Sequence, residues 1–554
     1  MHEVDGEVFL GFVPRLPSKL EGKVNQIFDI LKNDGTYDGV NGRWKAFPKD
    51  PNAANGHETE VFAPLAGIFN EVVAAAQTIV QNSLEQTFQL SVRGNTTVDS
   101  KRGGDSRPDA FIEILESSLR RMAEDMERCK KDELVKLAGG SGSASSEAMG
   151  ISKECRAADD TNQPKAPSAS SVYDISLPHE FKKRETQIDV DNNIRKLLYN
   201  LNKILSLDPC RRFVIGVTIE NVSLRFWMLS RGTVLKSTPF DFIKDGLVLV
   251  RLFLSIAFSS PEDMGWDPTI TFSSIENNRR QYDIRINDHV YTTLATLYDH
   301  SAESPFGRAA RVWKVRDAHG KVRVLKDFWL ESDRPGEDQI YTKIMEDVRN
   351  KYRLRPNVID FVEGSLLKPL ASCRVKVSGK EDDTVKVMLR GSDVTKAPMV
   401  PVIARRKSAP ASRQSFGFST PDDQDREPPF PSLPSMHEDD ISETENEPEN
   451  GPNRPEVVGV RRYHFRIVFE RYATTLHNER SLSNVLMAIA KIMMALAIIH
   501  ECGWVHRDIS PGNLYYYSDT KMGMIGDLEY ARHTTDTTGH PVRTIGCFLF
   551  LFSL

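Results

Sequence analysis

Paired cysteines, long apolar runs and an excess of either charge are all scarce in this chain. Six cysteines (Cys129, Cys155, Cys210, Cys373, Cys502, Cys547) are scattered through 554 residues with no C-x-x-C pair. That excludes a disulfide framework or a cysteine zinc site and points to ordinary thiols in a reducing compartment. No uninterrupted apolar run reaches the length of about 18 residues that a membrane span needs; the nearest candidates are broken by Arg251 and Lys491. The first residues, Met1-His2-Glu3-Val4-Asp5, are acidic where a secretory signal would be positive. Lysine plus arginine (72) nearly balances aspartate plus glutamate (77), so a dominant nucleic-acid footprint is not expected. The expected setting is cytoplasmic or nuclear, with no membrane and no nucleic acid as the leading partner.

What is present divides by composition. Residues 1–138 read as a helical N-terminal region, with Ile68, Phe69, Val72, Val73, Ala76, Ile79 and Val80 at helical spacing. Residues 139–171 are rich in Gly, Ser, Ala and Pro and are expected to be a flexible insert. Residues 172–279 resume as an α/β domain. There Val172–Leu177 alternates like a strand, and a helix follows with Ile194, Leu197, Leu198, Leu201 and Ile204 on one face. Arg212–Ile219 and Ser223–Leu229 then form a hairpin about Glu220-Asn221-Val222, and a further helix covers about 242–258. Residues 280–374 and 457–554 carry the motifs below, separated by a Ser-, Pro- and charge-rich insert at 375–456. In the last segment Phe465–Glu470 alternates like a strand. After it Leu482, Val485, Leu486, Ile489, Ile492, Met493, Leu496 and Ile499 recur at 3- and 4-residue steps of a helix.

The most informative stretch is His506-Arg507-Asp508-Ile509-Ser510-Pro511-Gly512-Asn513, followed by Ile525-Gly526-Asp527-Leu528-Glu529. It has the H-R-D-x-x-x-x-N spacing of a protein-kinase catalytic loop with a further Asp downstream. Phosphoryl transfer needs one carboxylate at the substrate hydroxyl, and a carboxylate and an amide oxygen to hold magnesium against the phosphates. Upstream, Val322–Lys326 alternates as a strand that puts Lys326 where the phosphate-gripping lysine belongs. Glu337 is the best candidate for its partner, because Ile340, Tyr341 and Ile344 follow it with helical spacing; Glu346 is the fallback. Ser304–Val315 stands in the place of a glycine-rich loop, but only Gly307 remains of three glycines.

Together these motifs resemble the fungal-type protein kinase family. The carrying residues are Phe306-Gly307-Arg308 with Arg311-Val312, Val324–Asp327, His506–Asn513 and Gly526–Ala531. Pro209–Gly216 and Pro239–Ile243 look like that family's upstream part. The resemblance implies an α+β fold: a bilobal protein-kinase-like domain, incomplete at its C-terminus, preceded by a separate α/β N-terminal domain. It also implies ATP and Mg2+ as cofactors and a protein as substrate. Carried over, Asp508 is the base. Asn513 and Asp527 are metal ligands, and Lys326 with Glu337, Gly307 and Val312 serves the nucleotide. Arg507 is the arginine that pairs with a phosphorylated activation loop, for which Thr534, Thr535, Thr537 and Thr538 are candidates. The pattern has departures. Ser510 replaces a lysine common in Ser/Thr kinases, which keeps small-molecule phosphotransferases in view. Glu529 replaces the glycine of D-F-G. After Gly546 the sequence runs into the apolar octet Cys547–Leu554 without an A-P-E-like anchor, so a truncated large lobe and an exposed apolar face on the 482–500 helix are expected.

A second resemblance is weaker. Arg107-Pro108-Asp109 and Glu180-Phe181-Lys182 match the PD…ExK pattern of the restriction-endonuclease-like fold, in which Asp109, Glu180 and Lys182 would form a metal-dependent phosphodiester-cleaving cluster. Surface charges at strand ends are the plain alternative. Four readings follow from the sequence: an ATP-dependent Ser/Thr protein kinase, a pseudokinase or interaction module, a nuclease-like N-terminal enzyme, and a fragment without activity.

Overall fold

The computed structural model describes residues 2–6, 9, 11–92, 108–139, 171–276, 279–299, 306–385, 387–389, 398 and 461–536. The expected insert at 139–171 lies almost wholly outside these residues, as do most of the 375–456 insert, Cys155, Thr537, Thr538 and the final octet.

One sheet collects strands from both sides of the first insert. In chain order they are β1 (His2–Val4), β2 (Phe88–Ser91), β3 (Ala110–Ile114), β4 (Ile175–Lys182), β5 (Phe213–Glu220), β6 (Ser223–Ser230) and β7 (Val234–Ser237). Their spatial order is β1-β7-β6-β5-β4-β3-β2. β2, β3 and β4 run antiparallel, whereas β4 and β5 are parallel, joined by helix α4 (Gln187–Leu207). Every β5 residue is buried, as a strand covered on both faces must be. The β5–β6 hairpin turns where expected, with Asn221 at φ 54°, a left-handed conformation that Asn tolerates better than most residues.

Helices α1 (Val24–Asn33), α2 (Pro64–Ile79) and α5 (Gly246–Ala257) bury their apolar faces in the core on this sheet, α2 through Ile68, Phe69, Val72, Val73 and Ala76. The expectation of a helical region at 1–138 is therefore corrected. Its strands β1, β2 and β3 complete a sheet begun elsewhere in the chain, and β3 pairs directly with β4 across the insert.

A second, wholly antiparallel sheet follows: β8 (Ile270–Glu276), β9 (Arg279–Ile286), β10 (His289–Tyr298), β11 (Arg311–Arg316), β12 (Val322–Glu331), β13 (Pro369–Arg374) and β14 (Arg462–Phe469). Its order is β8-β9-β10-β11-β12-β14-β13. It begins at Ile270 rather than near 280, and residues 375–385 pack against it instead of opening an insert, with Asp382, Asp383 and Thr384 buried.

The expected separation of an N-terminal domain is also corrected: a single apolar core runs from Val4 through both sheets to Val468. Buried charges cross the same boundary. Arg212 pairs with Asp382 at 3.0 Å, and Arg311 donates to the carbonyl of Ser206 at 2.8 Å at the end of α4. Helix α3 (Glu116–Gly139) joins in, its Glu133 carboxylate accepting from the Val290 N–H at 2.9 Å.

Two helices come between β12 and β13, α6 (Glu337–Lys351) and α7 (Pro356–Ser365). After β14 come α8 (Leu482–Glu501) and the hairpin β15 (Leu514–Tyr517) and β16 (Met522–Ile525). Ile340, Ile344 and Val348 of α6 share a core with Ile492 and Ile499 of α8 and with Ile525 and Leu528. The buried stripe of α8 is Ala488, Ile492, Ala495 and Ile499. Of the eight apolar positions expected on its inner face, Leu482, Leu486 and Met493 are exposed among the described residues. By length and composition, α8 and the Glu58–Ile79 stretch are apolar enough to cross a membrane.

Candidate active site

Strand β12 aims successive side chains to opposite faces, and this alternation builds the site. Lys326 and Phe328 face one way, Asp327 and Trp329 the other. The Lys326 ammonium donates to Glu337 Oε2 at 3.0 Å and to Asp527 Oδ1 at 2.9 Å. Glu337 opens α6 and is itself buried, and its second oxygen accepts the Leu528 N–H at 3.1 Å. One carboxylate thereby ties the lysine strand, the helix and the Asp527 segment together. Glu346, the fallback partner, lies on the far side of α6, lining a separate cavity of about 550 Å³ with Arg507 and Thr535.

Burial pulls the Lys326 ammonium down, but Asp527 and Glu337 outweigh it and hold its pKa above the ordinary value. Burial likewise raises Asp527, and Lys326 and Arg308 more than reverse this, so Asp527 stays ionised.

The catalytic-loop residues come together as their spacing predicts. Asn513 donates through Nδ2 to both the backbone carbonyl and the Oδ2 of Asp508, each at 3.0 Å. That leaves the Asn513 amide oxygen free of this bond and able to face a cation. His506 is buried, and burial pushes its imidazole below the ordinary range; its Nε2 bonds the Gly526 carbonyl at 3.1 Å, which matches a neutral ring donating a proton there. Arg507 (φ 69°) and Asp527 (φ 56°) both adopt left-handed backbone conformations, unusual for non-glycine residues and concentrated here at the loop ends.

Lys326, Glu337, Asn513 and Asp527 line a cavity of about 630 Å³, and Val312, Val324, Leu367, Phe469 and Tyr472 supply apolar wall. Val312 is thus among the residues lining this space. Gly307 is not: its φ of +113° favours glycine, while among the described residues no atom lies within 4 Å of where its Cβ would be.

Two further residues matter that the motif pattern alone gave no role. Arg308, beside Gly307, forms an ion pair with Glu529, the residue at the D-F-G glycine position. The available signal was an acid, Glu529, at the place of the D-F-G glycine, with an arginine of opposite charge at 308.

The nuclease-like cluster assembles only in part. The β3–β4 register sets Ala110 against His179, which brings Asp109 beside Glu180. Asp109 Oδ2 accepts the Phe181 N–H at 2.8 Å, and Glu180 Oε1 accepts from Asn200 Nδ2 at 2.7 Å. Glu180 is fully buried; burial first and the Asp109 charge second push its pKa up to about 9, so it carries a proton at neutral pH. Lys182 turns to Glu58 at 2.7 Å and is neutralised there. Among the described residues no group of three or more His, Cys, Asp or Glu side chains is placed to hold a metal ion. A protonated acid and a spent lysine do not fit a hydrolytic metal centre, and no cleavage step follows from them.

No curated protein matches the chain. The family model described as fungal protein kinase matches residues 155–551, from just before β4 through the catalytic loop and beyond it, taking in strands of both sheets. With most of its length so matched, the chain belongs to the fungal protein kinase family.

Proposed function

We propose that this chain is an ATP-dependent protein kinase that transfers the γ-phosphate of Mg-ATP to Ser or Thr hydroxyls of a protein. The observation that carries the reading is the Lys326–Glu337–Asp527 arrangement at one cavity with Asn513, whose amide holds the Asp508 carboxylate at 3.0 Å. In this reading Lys326 grips the inner phosphates and Glu337 holds it in place. Asp508, fixed by the Asn513 amide, orients the attacking hydroxyl and takes its proton. The residues fit a magnesium–nucleotide complex: Asp527 offers an ionised carboxylate and Asn513 an amide oxygen, a sparse oxygen set suited to an ion that keeps water and phosphate ligands. Bound there, magnesium would neutralise charge on the phosphoryl oxygens. The apolar wall of Val312, Val324 and Leu367 suits an adenine ring.

The test is thermal unfolding with and without Mg-ATP, paired with phosphate transfer to a generic protein substrate. The full chain should be stabilised and should transfer phosphate. Asp508→Asn should keep the stabilisation and lose about 100-fold or more in transfer, whereas Asp527→Asn should lose both. Stabilisation without transfer would favour an ATP-binding module instead. No response to Mg-ATP would sink both.

A further inference from the structure

A glycine-rich loop grips phosphates with backbone N–H groups, which requires that no Cβ stand in the way. This chain keeps one glycine there, and Gly307 is not among the residues that line the cavity. The phosphate end must be gripped by something else. Arg308 lines the cavity together with Lys326 and Asp527. Its guanidinium carbon lies 5.2 Å from the Phe328 ring centroid, and the Lys326 ammonium lies 5.0 Å from the same ring. The two cations thus share one aromatic floor. The Arg308 carbonyl accepts the Trp329 N–H at 2.7 Å, pinning this loop to the lysine strand.

Arg308 is also held from the other side. Its Nη2 pairs with Glu529, whose side chain is only 3% exposed. Among the described residues no other hydrogen bond is recorded for this guanidinium, and the buried Nε has no partner. A planar fork with one nitrogen anchored and others unspent is the donor geometry that matches a phosphate. Lys326 and Arg308 face Glu337, Asp527 and Glu529, so the end carries net −1 by formal count, and a polyphosphate there depends on each cation that faces it.

The geometry points to Arg308 as a nucleotide-binding residue that takes over the work of the missing glycines, contacting the terminal phosphates through its guanidinium while Glu529 positions it. This rests on the nucleotide reading above and deepens it. Discrimination among nucleotides then depends on a side chain, so it should fall away for ligands without phosphates.

The experiment is calorimetric binding of ATP and adenosine, each with magnesium, to the full chain and to Arg308→Met, Arg308→Lys and Glu529→Gln. Arg308→Met should weaken ATP about 10-fold or more, the scale of a lost charge-assisted contact, and leave adenosine within about twofold. Arg308→Lys should recover part of the loss, because an ammonium offers a point charge without the fork. Glu529→Gln should weaken ATP less than Arg308→Met and leave adenosine alone. If Arg308→Met does not fold, Arg308→Lys decides: ATP affinity unchanged from wild type overturns the assignment. Equal losses for ATP and adenosine, or none, overturn it as well, while wild-type binding of ATP preserves the kinase reading. A wild-type chain that binds no Mg-ATP overturns both.

Discussion

Glu180 shows how a residue can match a motif and still be placed for a different purpose. Its pKa of about 9 against an ordinary 4.5 makes folding take up a proton across that interval. The contribution to stability is full below pH 4.5 and is lost as pH rises toward 9, at up to about 1.4 kcal/mol per pH unit. Glu180→Gln mimics the protonated acid, so its stability relative to wild type should improve between pH 5.5 and 7.5 in urea titrations. An unchanged difference at the two values would show Glu180 ionised. Gly265 is a second residue whose identity is forced: its φ is +99°, and a Cβ would meet the Phe213 carbonyl at 2.2 Å. Gly265→Ala should cost about 3 kcal/mol, read as a fall in denaturant midpoint. Neither constraint is legible in the sequence, because both come from residues far along the chain.

At the scale of elements, strand β12 carries most of the design. Behind Lys326, Asp327 pairs with Arg466 at 2.7 Å and with His464 at 2.8 Å, and Arg466 also contacts Asp267 at 2.5 Å. All four are buried. Burial opposes each charge, yet the carboxylates outweigh it and lift His464 to about 9. Removing one member leaves the others charged and unpaired, so Arg466→Met should cost roughly 3–5 kcal/mol in denaturant unfolding. A cost below ~1 kcal/mol would mean that the cluster relaxes freely. The sequence made the lysine face of β12 readable through V-x-V-L-K alternation, and it made Glu337 readable through the apolar spacing after it. It hid the other face, since Asp267 and Arg466 are 199 positions apart. Helix α8 was legible as a helix and less so in orientation: apolar on nearly every side, it gave no contrast from which to choose the buried stripe.

At the scale of the molecule, the division into sheets does not coincide with a division into cores. The continuous core and the Arg212–Asp382 and Arg311–Ser206 links predict that residues 2–258 and the second sheet unfold together. Calorimetry of the full chain should show one transition covering both sheets, and residues 270–536 expressed alone should lack a cooperative melt. Two well-separated transitions would contradict this. The kinase motifs were legible because their chemistry fixes residue types at short spacing. The first sheet was only half legible, because β3 and β4 meet across an insert that no local pattern bridges.

The alternation at Lys326 and Asp327 has one more consequence. Adjacent residues of a single strand serve the cavity proposed for the nucleotide and the seam between the sheets, so a slip of one position would exchange a cation and an anion between the two. The seam and the cavity are therefore correct together or wrong together. By linkage, a ligand for the cavity acts as a folding ligand for the whole pair of sheets, and hydrogen exchange in β5, far from any phosphate, should slow when Mg-ATP is added. Nucleotide occupancy would then double as a quality check, letting ambient ATP rescue destabilised variants of the first sheet that never touch it.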